Sequence, residues 1–78
     1  MRPITERQGE VLRTITILAE RQGHPPTIRE IGDALGIRSS QVTHQHLGAL
    51  QRKGYITREP RRARTIRVLA DRLVEGKR

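Results

Sequence analysis

The stretch TIREIGDALGIRSSQVTHQHLGALQRKGYI, residues 27–56, decides the fold of this chain. Thr27 and Glu30 have the spacing of a capping box, which predicts that a helix starts at Ile28. Gly36 follows where a left-handed residue would end that helix. So short a helix is stable only when it packs against a neighbour. The stretch therefore begins with one member of a packed helix pair.

The second member of the pair is expected from about Ser40 to Arg52, with Ser39 or Ser40 as its cap. At a rotation of about 100° per residue, Leu47 and Leu50 fall on one side of this helix. The other side is rich in amides and has no acidic residue. It carries Gln41, His44, Gln45, Gly48, Gln51 and Arg52. Two helices joined by a tight glycine turn predict a helix-turn-helix.

The outer side of this helix carries side chains of the kinds that can contact DNA bases. A Gln amide can pair with adenine, His and Arg can donate to guanine, and a methyl group such as that of Val42 can pack on thymine. The pattern indicates a recognition helix in the major groove. The alternative is an ordinary solvated surface, on which Gln is common.

A longer helix precedes this pair. Thr5 and Gln8 have capping-box spacing, and Gly23 with the pair Pro25–Pro26 ends the helix. Its apolar residues recur at intervals of three and four and predict one buried face. They are Val11, Leu12, Ile15, Leu18 and Ala19. This helix is expected to be scaffold.

A basic hairpin is expected after the helix pair. Residues 55–59 and 64–69 are rich in β-branched side chains and predict two antiparallel strands, with Ile56, Ile66 and Val68 facing the helices. Arginines lie at or near the tip of this hairpin, namely Arg61, Arg62 and Arg64. Such side chains can reach phosphates or a narrow minor groove. The alternative is a hairpin edge kept charged to prevent strand pairing.

The predicted fold is mainly α with a small β component (α+β). It is a winged helix-turn-helix with three helices and a C-terminal two-stranded antiparallel wing. We assign residues 1–69 to this domain and residues 70–78 to a short basic tail, in which Leu73 and Val74 could pack or serve a partner.

Net charge favours a polyanionic partner. The 78 residues carry a formal charge of +8, with six basic and five acidic residues before position 52 and ten basic and three acidic residues from there on. Double-stranded DNA is the expected partner. The alternative is that the arginines are only solvated surface residues.

Other classes of function have little support in the sequence. There is no cysteine, and His44 and His46 would lie about 200° apart on a helix, so we expect no metal site. Met1–Pro3 is not followed by the apolar stretch of a secretory signal. We expect a cytoplasmic, nucleoid-associated protein with no cofactor, no small-molecule ligand and no membrane contact.

Two motifs in register, Gly-x-Pro-Pro-Thr at residues 23–27 and Arg-Lys-Gly at residues 52–54, resemble the N-terminal DNA-binding domain of LexA, the bacterial SOS repressor. The resemblance extends from Ile4 to Leu69 and includes Glu30-Ile31, Leu35-Gly36, Arg38-Ser39 and Ile66-Arg67. It implies a three-helix winged fold whose third helix enters the major groove.

The resemblance implies base contacts by Ser39, Gln41, Val42, His44 and Gln45, and a phosphate contact by Lys53. Together with the basic hairpin, we expect the DNA backbone to be contacted by Thr27, Arg38, Ser40, Arg52, Lys53, Arg61, Arg62 and Arg64. The family typically has acidic residues at the positions of His44 and Gln45 and a proline at Ser40. The expected operator therefore differs from the SOS box.

LexA-like repressors continue into a peptidase domain whose serine-lysine dyad performs self-cleavage and which supplies dimerisation. This sequence shows no such region, and Ser39 and Ser40 are expected to be helix caps with no lysine base in reach. We therefore expect no enzymatic activity. The glycine-rich wing tip of the family is also replaced by arginines.

The resulting hypothesis is a bacterial or phage transcriptional regulator, a repressor by resemblance, that binds double-stranded DNA sequence-specifically. It could bind a palindromic site as a homodimer. The alternative is a winged-helix module that binds RNA polymerase or another regulator.

Overall fold

A computed structural model of the chain describes residues 3–59 and 61–69. The described residues form α1 (Glu6–Gln22), α2 (Ile28–Leu35), α3 (Ser40–Arg52), β1 (Ile56–Thr57) and β2 (Arg67–Val68). The strands are antiparallel, with Ile56 opposite Val68 and Thr57 opposite Arg67. The predicted α+β winged helix-turn-helix is confirmed. The tail assigned to residues 70–78, with Leu73 and Val74, lies outside the described residues.

Both predicted capping boxes are present. The Thr5 hydroxyl accepts from the Gln8 backbone N–H at 3.1 Å, and the Gln8 amide oxygen accepts from the Thr5 N–H at 3.1 Å. At α2 the Thr27 hydroxyl accepts from the Glu30 N–H at 3.1 Å, and the Glu30 carboxylate accepts from the Thr27 N–H at 2.9 Å. Each box satisfies backbone donors that the helix itself leaves unpaired.

The turn between α2 and α3 depends on two glycines, Gly36 directly after α2 and Gly32 within α2. Gly36 has φ 73°, the left-handed conformation expected from the sequence. Gly32 is buried, and a Cβ there would lie 3.1 Å from both the Ile37 carbonyl oxygen and the Thr43 hydroxyl. The absence of a side chain thus lets α2 approach the turn and α3 closely. Ser39 then caps α3 by accepting from the Val42 N–H at 3.4 Å.

The core contains side chains from every helix and from the wing. Its buried members are Val11, Leu12, Ile15, Ile31, Leu47, Leu50, Ile56 and Ile66. Val68 packs against this cluster, as the predicted strand orientation requires. On α2, by contrast, Ala34 is exposed although it follows the buried Ile31 by three residues. Gly32 lies in the contact with α3 instead.

The predicted extent of the strands is wrong, because each has two residues rather than five or six. Arg61 and Arg64 have φ values of 69° and 61°, which interrupt the extended backbone. In place of a ladder, the Thr65 hydroxyl accepts from the Glu59 N–H at 2.9 Å. The wing is therefore a short sheet with a long arginine-rich connection.

Candidate nucleic-acid interface

The outer side of α3 is exposed along its first turns. We call Ser39, Gln41, Val42, His44 and Gln45 the reading face, and all five side chains are exposed. The opposite side carries Thr43, Leu47 and Leu50, which are buried in the core. Helical periodicity therefore directs one set of side chains inward and the predicted base-reading set outward, as expected. Val42, at 39% exposure, offers a methyl surface beside the polar groups.

Arg58 lies across α3 next to the reading face. It follows β1 and is half-buried. Its Nε donates to the Gln51 amide oxygen at 3.0 Å, and its Nη1 lies 3.4 Å from Nδ1 of His44. The wing is thus joined to α3 through a side chain that was not among the predicted contacts. The period of a strand could have indicated it, because Arg58 and the buried Ile56 are two residues apart and point to the same side.

The connection of the wing presents Arg61 and Arg62 to solvent. Arg62 Nη1 lies 3.5 Å from the Glu59 carboxylate, and both side chains are mostly exposed, at 72% and 64%. An exposed pair of this length holds its arginine weakly. Both guanidinium groups are therefore available to an external anion.

Arg64 is placed differently, because its guanidinium points at α2. Nη1 and Nη2 donate to the two carboxylate oxygens of Glu30 at 3.2 Å each. Nη1 also donates to the Pro25 carbonyl oxygen at 3.2 Å and lies 3.0 Å from Nδ1 of His24. A phosphate contact by Arg64 stays a prediction, and in this structure its donors already have protein partners.

The Glu30 carboxylate is held ionised by its surroundings. Hydrogen bonds from the Thr27 backbone N–H, from the Gln22 amide and from Arg64 lower its pKa to about 2. Each of these bonds favours the charged form. The Glu30 carboxylate therefore caps α2 and at the same time pairs with Arg64 of the wing.

The remaining predicted backbone contacts lie at helix ends. Arg38, Ser40 and Arg52 are exposed, whereas Thr27 and Lys53 are half-buried. Lys53 Nζ donates to the Gln8 amide oxygen at 2.7 Å and so ties the end of α3 to the start of α1.

A cleft of about 550 Å³ separates the wing from the helix-turn-helix. It brings together several predicted contacts from three elements, namely Thr27, His44, Arg61, Arg62 and Arg64. Arg29 and Arg58 also line it. The cleft is therefore strongly basic, although Glu59 contributes one carboxylate. Gln41, Val42 and Gln45 are not part of this lining and lie on the open side of α3.

Within the ranges 3–59 and 61–69, no group of three or more His, Asp or Glu side chains is arranged so that it could hold a metal ion. The helices of the same ranges are too short or too polar to cross a membrane.

Comparison with protein families finds a match to the LexA DNA binding domain over residues 1–65. Among curated proteins, the chain is 43% identical over 75 residues to the LexA repressor of Staphylococcus epidermidis, covering 96% of this chain and 36% of that protein. It is 43% identical over 76 residues to the LexA repressor of Staphylococcus carnosus, covering 97% of this chain and 37% of that protein. For the LexA repressor of Staphylococcus aureus the identity is 44% over 71 residues, covering 91% of this chain and 34% of that protein.

The similarity thus extends over nearly all of this chain, which spans between 34% and 37% of the length of these relatives.

Proposed function

Because this chain belongs to the family of LexA DNA-binding domains, we propose that it is a sequence-specific double-stranded DNA-binding transcriptional repressor. In this proposal α3 lies in the major groove and the wing lies on the DNA backbone or in the minor groove. The chain itself binds DNA without catalysing a reaction, and it acts in the cytoplasm on the nucleoid.

The observation that carries the proposal is the reading face. Gln41, His44 and Gln45 are exposed next to one another on a helix whose other side is buried in the core. A rigid helix that presents amides and an imidazole, with no carboxylate to repel phosphates, has the donors and acceptors that base edges require. The family membership favours this function over a module that binds RNA polymerase or another regulator.

The backbone contacts are proposed for Thr27, Arg38, Ser40, Arg52, Lys53, Arg61, Arg62 and Arg64. Arg61 and Arg62 are the best placed, since their side chains are exposed and the Arg62–Glu59 pair is long, at 3.5 Å. If about five phosphates are neutralised, the logarithm of the affinity falls against the logarithm of salt with a slope of about −4.5.

The operator is proposed to differ from the SOS box, because His44 and Gln45 replace acidic side chains on the reading face. A single winged domain binds one half-site weakly, so we propose that two copies of the domain occupy a palindromic site.

The test is selection of bound sequences from a random duplex pool at two salt concentrations. We expect one enriched palindrome that persists at the higher salt, because base contacts do not depend on counterion release. An enriched motif without symmetry would contradict the dimer. Recovery of no motif at either salt would contradict the sequence-specific function.

A further inference from the structure

The guanidinium of Arg58 lies against the recognition helix. Besides its bond to Gln51, Arg58 Nη2 would lie 4.0 Å from a Cβ placed at Gly48. The Arg58 guanidinium therefore lies near Gly48, where Arg52 Nη1 is closer still, at 3.4 Å from the same Cβ. Arg58 contacts both Gln51 and His44 of α3. In this placement the Arg58 guanidinium meets the His44 ring at Nδ1.

In the contact between Arg58 and His44, only Arg58 can be the hydrogen-bond donor. A guanidinium group has N–H donors, has no acceptor and stays protonated at any physiological pH. Since Nη1 of Arg58 faces Nδ1 of His44 at 3.4 Å, Nδ1 must accept. A neutral imidazole that accepts at Nδ1 carries its proton on Nε2. A proton on Nδ1 would place two N–H groups against each other.

We propose that Arg58 is a positioning residue that fixes the tautomer of His44, so that the reading face presents an Nε2–H donor at this position. Arg58 is thereby a determinant of base specificity, although it acts through His44. This inference rests on the proposed function, because a tautomer determines specificity only on a helix that contacts bases.

The donor determines which base edge fits. In the major groove guanine offers two neighbouring acceptors, N7 and O6, whereas cytosine offers only the N4 amino donor. An Nε2–H at His44 therefore favours guanine and disfavours cytosine on the strand it contacts. The opposite tautomer would present an acceptor and would reverse this preference.

The first test uses the free protein. Long-range ¹H–¹⁵N correlation spectra at neutral pH distinguish the two tautomers of each histidine ring. For His44 we expect the Nε2–H form in the wild type and in Arg58→Lys, whose ammonium group can also donate. Arg58→Met should give a mixture of tautomers. Arg13→Met removes the same charge from α1, where that guanidinium lies over the helix near Gly9, and should leave His44 unchanged.

A second variant covers the case in which Arg58→Met does not fold. Gln51→Met removes the acceptor that holds Arg58 Nε and should shift His44 part of the way to the mixture. The proposal is overturned if wild-type His44 carries its proton on Nδ1, or if its tautomer is the same in wild type, Arg58→Met and Gln51→Met.

The second test repeats the selection from random duplexes with Arg58→Met and Arg58→Lys. We expect Arg58→Met to lose about fivefold to tenfold in guanine preference at one base pair of each half-site. This is near the lower end of the discrimination by a bidentate contact, because the His44 ring offers a single donor. His44→Ala should lose the preference at the same base pair, and Arg58→Lys should keep it. Equal weakening on all sequences would instead make Arg58 a phosphate contact and would overturn the proposal.

The two tests separate the proposal from the function on which it rests. If the wild-type selection recovers no enriched motif, the proposed function and the base contact by His44 are both overturned. The ring spectra still decide whether Arg58 fixes His44, because they are recorded without DNA.

Discussion

Arg64 of the wing and Glu30 of α2 are joined by two parallel hydrogen bonds of 3.2 Å across 34 residues of sequence. A bidentate arginine–carboxylate pair fixes direction as well as distance. The pair therefore holds the wing at a set angle to the helix-turn-helix, and the same carboxylate caps α2. One side chain of α2 thus contributes to the geometry of the wing, together with the buried Ile56 and Ile66.

We expect Arg64→Met and Glu30→Gln to be coupled. In a double-mutant cycle, the loss of unfolding free energy in the double variant should be smaller than the sum of the two single losses, because either change alone breaks the pair. Urea unfolding measures this. The exposed Arg62–Glu59 pair, at 3.5 Å, is the matched control and should show weaker coupling. Strict additivity for Arg64 and Glu30 would contradict the proposed role of the pair.

The pH dependence of stability follows from the pKa of Glu30, which is lowered from 4.5 to about 2 in the folded protein. A carboxyl group whose pKa is lower in the folded than in the unfolded protein stabilises the folded state at pH values above the unfolded pKa. This stabilisation is lost as the pH falls through the folded pKa. The difference in unfolding free energy between wild type and Glu30→Gln should be constant above about pH 5 and should shrink toward about pH 2. A difference that does not change over this window would place the carboxyl pKa at its ordinary value.

Leu47 is fully buried at the contact of α3 with the core. Leu47→Ala should reduce the free energy of unfolding by about 2–5 kcal/mol, through lost burial and the cavity that remains. Ile17→Ala is the control, because Ile17 is 46% exposed on α1 and should change stability by no more than about 0.5 kcal/mol. Thermal and urea unfolding give both values. Similar losses for the two variants would contradict the assignment of the core.

The arginines of the wing connection should affect affinity without affecting base preference. Arg61→Ala and Arg62→Ala should each weaken binding to every duplex in similar proportion. Each should also make the slope of log affinity against log salt shallower by about 0.9, the value for one phosphate contact. Titration of one specific and one random duplex at several salt concentrations measures this. A loss confined to the specific duplex would assign these arginines to base readout.

Much of the fold could be predicted because it depends on local chemistry. The boxes at Thr5 and Thr27 and the left-handed Gly36 are readable from residue type and spacing, and all three are present. The two sides of α3 also follow from helical periodicity. The length of the strands could not be predicted, since positive φ at Arg61 and Arg64 is unusual for residues with a side chain.

The contacts across the site were less accessible to sequence reasoning. Arg64 was expected at the wing tip as a phosphate contact, but its guanidinium meets a carboxylate that is distant in sequence. For Arg58, strand period indicates only the side to which the side chain points, and the packed tertiary structure places it beside Gln51 and His44. The exposure of the predicted base-reading set follows from helical periodicity, whereas the network of contacts around it depends on how the elements pack.

The most direct test of the DNA-reading role compares wild type with Gln41→Ala and Gln45→Ala on the selected operator and on random duplex DNA. If α3 reads bases while the wing holds the backbone, each variant should lose preference for the operator, with binding to random DNA nearly unchanged. The loss for one bidentate amide contact is about 1–3 kcal/mol. Unchanged operator preference in both variants would contradict a recognition role for α3.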